Sequence, residues 1–489
     1  MTCGVGEAGP PAAARPPALG PGIRAFSRTT EDRTVSEKED RGQWQSTIGF
    51  VLAAAGSAIG LGNIWRFPYV TGTNGGAAFV IIYLACVLLI CLPYMFAELA
   101  LGRHTKKNPV GAIRAIRQRT PWILVGGLGV LTGIFILSYY AVIAGWAFGY
   151  IFKSFIAPNL LHGDFTASPA IAVPLFAVFL VLTILVVLGG VEHGIERWSK
   201  ILMPLLLVLM LLVILRGLTL DGAMKGVKFF LAPDFSKVTG SVVLAALGQA
   251  FFSLSLGMGA MITYGSYLPK TANLRVSGAS VAICDTVVAL LAGFMIFPAL
   301  FALGKDPASG PPLIFEVLPA VFHDMPLGGL VAVVFFILLS IAALTSTVSL
   351  LEVVVSYCVD ERKWTRKKAV WITGAVTFVV GLPSALSQGA VESLGSMTLA
   401  GNTSFLYIMD FIWGNLSLAI GAMLLSIFVG WVWGVASAGG ELGEGSAITA
   451  AGAGLWGFFI RWICPVFIFF VLLNLFGVTG RLLQLIGLG

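Results

Sequence analysis

Long apolar runs recur along the chain from about residue 46 to 478, divided by short polar segments. A helix needs about 20 apolar residues to cross a bilayer core of about 30 Å. The pattern predicts eleven such spans, at 46–71, 76–102, 122–153, 170–190, 195–216, 240–267, 274–303, 328–358, 367–385, 401–434 and 453–477. Two of them interrupt their own pattern. The stretch Gly56–Tyr69 reads GSAIGLGNIWRFPY, and the sixth span contains SLSLGMG. Inside a helix glycine costs about 1 kcal/mol relative to alanine, and proline about 3. Unpaired backbone in lipid costs more still. Breaks are therefore expected around Ser57–Gly62 and Ser255–Gly259, with the freed backbone lining a cavity. Close packing of two glycine-rich helices is the alternative. It suits a single motif better than two segments that both carry hydroxyls and a nearby Asn.

Composition narrows the class. Of 489 residues, 57% are hydrophobic and 11% charged, which excludes a soluble globular domain. The net charge of +7 does not form one patch. Arg103, Lys106, Lys107, Arg114, Arg117 and Arg119 follow the second span, and Arg362, Lys363, Arg366, Lys367 and Lys368 follow the eighth. Loops rich in Lys and Arg face the cytoplasm, so the amino terminus is expected inside and the carboxyl terminus outside, with no nucleic-acid partner. The six cysteines show no metal spacing. Nothing in the sequence forms a nucleophile–base pair, a metal cluster or a phosphate loop, so an enzyme is not expected. Residues 1–42 are too polar to fold and lack the apolar core of a signal peptide, and are expected to be a disordered cytoplasmic tail.

The first-span string, followed by NGGAAF, resembles the signature of the neurotransmitter:sodium symporter family, whose fold is the LeuT type. The resemblance extends through AELALGR (Glu98 onward), GQAFFSLSLGMGAMITYGSY, AGFMIFPA and AALTSTVSLLE. It implies an all-α polytopic membrane protein with a five-plus-five inverted repeat, unwound first and sixth helices and one extra helix. The transporter domain would cover 43–489, with repeats at 43–217 and 238–434 and the eleventh span at 453–477. The short loop after the third span and the missing twelfth span resemble the prokaryotic members.

The same resemblance implies two sodium sites. One takes the carbonyls of Gly56, Ile59 and Ala342 with the hydroxyls of Thr345 and Ser346. Capping of backbone within their own helix is the other use of those hydroxyls. The second takes Ala58 C=O, Asn63 Oδ1, Ser253, Asp285 and a substrate carboxylate. The chloride site of animal members would correspond to Tyr83, Gln249, Ser253, Asp285 and Ala289. Ala289 cannot donate a hydrogen bond, and an ionised Asp285 would repel the anion, so chloride is not expected. Asp285 would supply the negative charge, and its protonation on the return step would export a proton. A permanently neutral acid bonded to Gln249 is the alternative. Glu98 is expected to support the broken sixth span; Glu352 has no assignment.

By the same resemblance, N–H groups near Gly60 and Leu61, with the Tyr140 hydroxyl, would hold a substrate carboxylate. The carbonyls of Ala58, Phe252 and Ser255 would accept its ammonium. Ile136, Phe252, Met258, Ser346 and Leu350 would meet its side chain, although Met258 and Leu350 also suit ordinary packing. None is charged, which favours a neutral hydrophobic amino acid. Arg66 and Asp410 would form an outer gate. Arg41 and Asp360, flanked by Trp44 and Tyr267, would form an inner one, unless they are solvated helix ends. In the fifth span, Gly194 and Pro204 are expected to let the inner end unwind. The expectation is thus a sodium-coupled symporter of the cell membrane, working by alternating access as a monomer or weak homodimer. A carrier of another amine or zwitterion is the alternative; an ion channel would need a continuous pore.

Overall fold

The computed structural model describes Met1, Thr2, Gly4 and residues 42–157, 160–307, 311–323, 325–443 and 450–478. Residues 1–41 and 42–489 are separate units. Most of the expected 1–42 tail, and Arg41 with it, lies outside the described residues. The membrane helices all belong to the second unit.

The regular elements of the described chain are helices, apart from a hairpin that pairs Thr398–Leu399 with Asn402–Thr403. Among the described residues nine helices are long and apolar enough to cross a membrane. These are Ala77–Thr105, Ile123–Ile156, Pro169–Leu188, Gly190–Leu218, Leu274–Ala302, Gly328–Arg362, Arg366–Leu386, Phe405–Gly443 and Gly452–Leu475. The pair Thr47–Ala58 and Gly62–Thr73, bent by 52°, makes a tenth. Each expected span coincides with one of these, except the sixth. That span is divided between Gly240–Ser253 and Ala260–Ser266, neither long enough to cross alone. Below, spans are numbered first to eleventh in chain order, the divided one being the sixth.

Helix starts are set by short polar side chains that accept from the first free N–H groups. Ser46 accepts from Gly49 N at 3.0 Å, Asn273 from Val276 N at 3.2 Å and Thr365 from Lys368 N at 3.4 Å. Outward faces expose Leu88, Leu185, Val208 and Leu212, as lipid contact requires. The third and eighth spans, 34 and 35 residues long, pack along one another as the central pair. At 1.5 Å per residue each exceeds the hydrocarbon thickness, so both tilt or project beyond it.

Three details differ from expectation. The first helix persists through Ala58, so the break covers Ile59–Leu61 and not Ser57. The tenth span runs on to Gly443 beyond a kink at Gly434, whose φ is 94°. The fifth span is helical from Gly190 to Leu218 with Pro204 inside it, and so is not unwound over 194–204 here.

Candidate functional site

Where the first helix stops, its last carbonyls lose their partners. Ala55 O still accepts from Ile59 N at 2.7 Å. Ser57 O accepts the hydroxyls of Ser255 at 2.9 Å and Ser346 at 3.2 Å. The carbonyls of Gly56, Ala58 and Ile59 accept from no donor among the described residues. They are three of the four carbonyls expected to bind cations; the fourth, Ala342 O, accepts the Thr345 hydroxyl at 3.0 Å. Bare oxygens in a dry interior suit a hard cation. Gly56 faces the eighth span: a Cβ placed on it would stand 3.2 Å from Thr345 Cβ. Thr345 turns its hydroxyl to Ala342 O at 3.0 Å and Ile341 O at 3.3 Å, within its own helix. Ser346 reaches across to the break.

The second expected cation set also converges. Asn63 Nδ2 donates to Ser253 Oγ at 2.9 Å and to Asp285 Oδ1 at 2.8 Å. Ser253 donates to Asp285 Oδ2 at 2.8 Å and lies 3.2 Å from the Tyr83 hydroxyl. Asn63, Ser253 and Asp285 are buried. The amide of Asn63 presents nitrogen where oxygen was expected; its Oδ1 accepts from Gly60 N at 3.4 Å. Gln249 donates to Gly62 O at 2.9 Å, and the acid's bonds go to Asn63 and Ser253 instead.

The sixth span unwinds over Leu254–Gly259. Ser255, Gly257 and Gly259 have φ of 52°, 86° and 78°. A side chain at Gly257 would be strained there, and its Cβ would come within 2.5 Å of Leu418 O. Glu98, fully buried, accepts Gly257 N at 3.0 Å and so holds the open turn.

Between the breaks lies a cavity of about 30 Å³, room for one or two waters. Its walls include Ala58, Gly60, Ile136, Tyr140, Phe252, Ser255, Met258, Ser346 and Leu350. Of the residues expected to meet the substrate, only Leu61 is missing from them. Leu61 instead donates its N–H to the Tyr140 hydroxyl at 2.9 Å. The backbone at Gly60 passes so close that a Cβ would fall 2.5 Å from Ser346 Oγ. A second cavity of about 170 Å³, lined by Trp65, Arg66, Tyr69, Tyr139, Tyr407 and Asp410, is separated from it by Phe252 and Tyr140. The Arg66 guanidinium lies 4.5 Å above the Phe252 ring. It meets Asp410 through an intermediary and not directly: Arg66 donates to Asn415 Oδ1 at 3.0 Å, and Asn415 donates to Asp410 Oδ2 at 3.2 Å. Tyr139 also donates to Asp410, at 2.8 Å.

At the far end, Trp44 Nε1 donates to Tyr264 O at 2.9 Å, with the Trp44 ring against Tyr267. Tyr267 donates to Glu352 at 2.7 Å, and Arg366 grips the same carboxylate at 2.5 and 3.1 Å. Glu352 thereby gains an assignment: it anchors this closure. Asp360 accepts from Asn108 N and Nδ2, each at 2.9 Å; its expected partner Arg41 lies outside the described residues.

Asn415 is not marked by the sequence pattern, which marks Ser57 only as the edge of a break and Arg366 only as a member of a basic loop. Ser349 was within reach, since it follows Ser346 by three residues on one helix face. It accepts from Ser57 Oγ at 2.7 Å and lines the cavity.

Residues 41–162 and 159–480 match the model of the sodium:neurotransmitter symporter family. The chain is 43% identical over 449 residues to YhdH, a sodium-dependent transporter of Bacillus subtilis (strain 168), covering 90% of this chain and 98% of that one. It is 27% identical over 483 residues to the sodium- and chloride-dependent GABA transporter ine of Drosophila melanogaster, covering 86% and 49%. The crystal structure of MhsT in complex with L-phenylalanine superposes with a TM-score of 0.81 at 44% identity, covering 89% of this chain and all of that one.

Proposed function

Because the chain belongs to the sodium:neurotransmitter symporter family and is a sodium-dependent membrane transporter with the LeuT fold, we propose that it imports neutral hydrophobic L-amino acids. The observation that carries this reading is the uncharged cavity between the two helix breaks, walled by Ile136, Phe252, Met258 and Leu350. A charged side chain would be stranded there. The likeness to MhsT, solved with L-phenylalanine, supports it.

In the proposed cycle two sodium ions bind, one at Gly56, Ile59, Ala342, Thr345 and Ser346, the other at Ala58, Asn63, Ser253 and Asp285. The second requires the Asn63 amide to rotate so that Oδ1 faces the ion. Asp285 takes the place of chloride. The substrate carboxylate displaces the Tyr140–Leu61 bond, and the ammonium meets the carbonyls of Ala58, Phe252 and Ser255. Since the cavity is far smaller than an amino acid, entry requires Phe252 and Tyr140 to part, with Arg66, Asn415 and Asp410 opening above them. Release requires the Trp44–Tyr267–Glu352 closure to open on the cytoplasmic side. The two repeats, 43–217 and 238–434, supply one broken span each. Two sodium ions with a zwitterion carry two charges, worth about 4.6 kcal/mol per 100 mV.

The test is uptake into proteoliposomes across the twenty amino acids, with sodium, chloride and pH varied in turn. Saturable uptake of leucine, phenylalanine or tryptophan that vanishes without sodium and ignores chloride is expected. Ohmic current without substrate would overturn the proposal.

A further inference from the structure

The tenth and eleventh spans cross where each carries a wide helical turn, Phe428–Gly434 in one and Phe459–Ile463 in the other. Such turns leave backbone carbonyls short of partners and gather at functional sites. At the crossing stands Arg461. It lies nine residues beyond Gly452, the start of its span, or about 14 Å along the helix. An arginine at that depth is costly and calls for a partner. Its Nε donates to Gly430 O at 2.9 Å. The other guanidinium hydrogens find no acceptor among the described residues. The side chain is half-buried, with its guanidinium 5.8 Å from the Trp431 ring. Trp431 in turn meets Trp462 edge-on at 5.3 Å, and the two are 43% and 53% exposed on the outer face.

We propose that Arg461, Trp431 and Trp462 form a binding site for the phosphodiester of a phospholipid in the leaflet beside the basic loops. A helical side chain leans toward its own amino end. For Arg461 that is the Gly452 end. The same end of the tenth span brings Trp433 against His104 and joins Glu441 to Arg103 and Lys270. The guanidinium therefore points toward the headgroups of the basic side. Its planar fork matches a phosphate, and the two exposed indoles flank it on the outer face. A carboxylate from a second copy of the chain is the less favoured partner, because the leaflet already supplies phosphate beside this exposed outer face.

The experiment uses the full chain, delipidated in detergent, with dioleoyl phosphatidylglycerol added and bound lipid counted by native mass spectrometry. The wild type is expected to retain the lipid under activation that strips loosely held molecules. Arg461→Gln should cut the retained fraction about fivefold, the effect of one basic group at an anionic surface. Arg461→Lys should fall between them, and Trp462→Ala should weaken retention with the charge intact. If Arg461→Gln unfolds, the latter two variants carry the test; thermal unfolding identifies that case. Equal retention by the wild type and folded Arg461→Gln would overturn the proposal. So would a wild-type dimer that Arg461→Gln converts to monomer with lipid retention unchanged.

Discussion

The hydroxyl of Ser255 donates to the carbonyl of Ser57 across 2.9 Å, so the two interrupted spans are tied to one another at their breaks. They lie 198 residues apart in sequence. Any movement of the inner half of the first span is therefore felt at the sixth, beside both proposed cation sets. Ser255→Ala removes this tie. A buried hydrogen bond is worth about 1 kcal/mol, or about fivefold in affinity. Sodium-dependent binding of labelled substrate should weaken by that amount, and an unchanged sodium affinity would count against the coupling.

Asp285 accepts from both Asn63 and Ser253 in a fully buried pocket. Asp285→Asn keeps the shape and removes the charge. Hydrogen bonds to charged groups are worth about 1.5–3 kcal/mol, so sodium affinity should drop by roughly ten- to a hundredfold. Uptake by the wild type should be equal in chloride and gluconate. In the variant, chloride should restore little, because Ala289 offers no donor. Strong rescue by chloride would show that the pocket holds an anion without that donor.

Glu352 is fully buried and answers both Arg366 and Tyr267. Truncating one partner of a buried ion pair costs about 3–5 kcal/mol, because the other charge is left alone. Glu352→Ala should lower the unfolding temperature by several degrees and raise the reactivity of a cysteine introduced near Trp44. Replacing both Glu352 and Arg366 by Met should recover most of the stability. If the double variant is no better than the single, the pair is not the source of the loss.

His162, the first residue of the short helix His162–Ala167 beyond the third span, shares a 2.8 Å hydrogen bond with the Tyr150 hydroxyl and stacks on Phe315. Burial, with a smaller contribution from Lys153, lowers its pKa to about 4. The folded state thus favours the neutral ring more than the unfolded chain does. Its contribution is complete above about pH 6.5 and is lost as the pH falls toward 4. Thermal unfolding followed between pH 7 and 4 should show this decline, and His162→Gln should flatten it.

Much of this was legible in the chain. A bilayer leaves the backbone few options, so the length and spacing of apolar runs located the spans to within five residues at every end except that of the tenth, which runs nine further. The glycines and hydroxyls of GSAIGLGN and SLSLGMG marked both breaks, because a helix in lipid tolerates them only where something else satisfies its backbone. Buried acids stood out for the same reason: Asp285 and Glu98 are too costly to sit idle.

What the sequence alone determined was the membrane-spanning class, the positions of the two gaps and the polar residues near them. Only the tertiary structure decided which of these meet. The Arg66–Asn415–Asp410 relay, the Glu352–Arg366 clasp and the Ser57–Ser349 contact join residues on different helices or across helix ends. Periodicity orders residues along one helix face, whereas the rotation and depth of one helix against another follow from packing of the whole bundle.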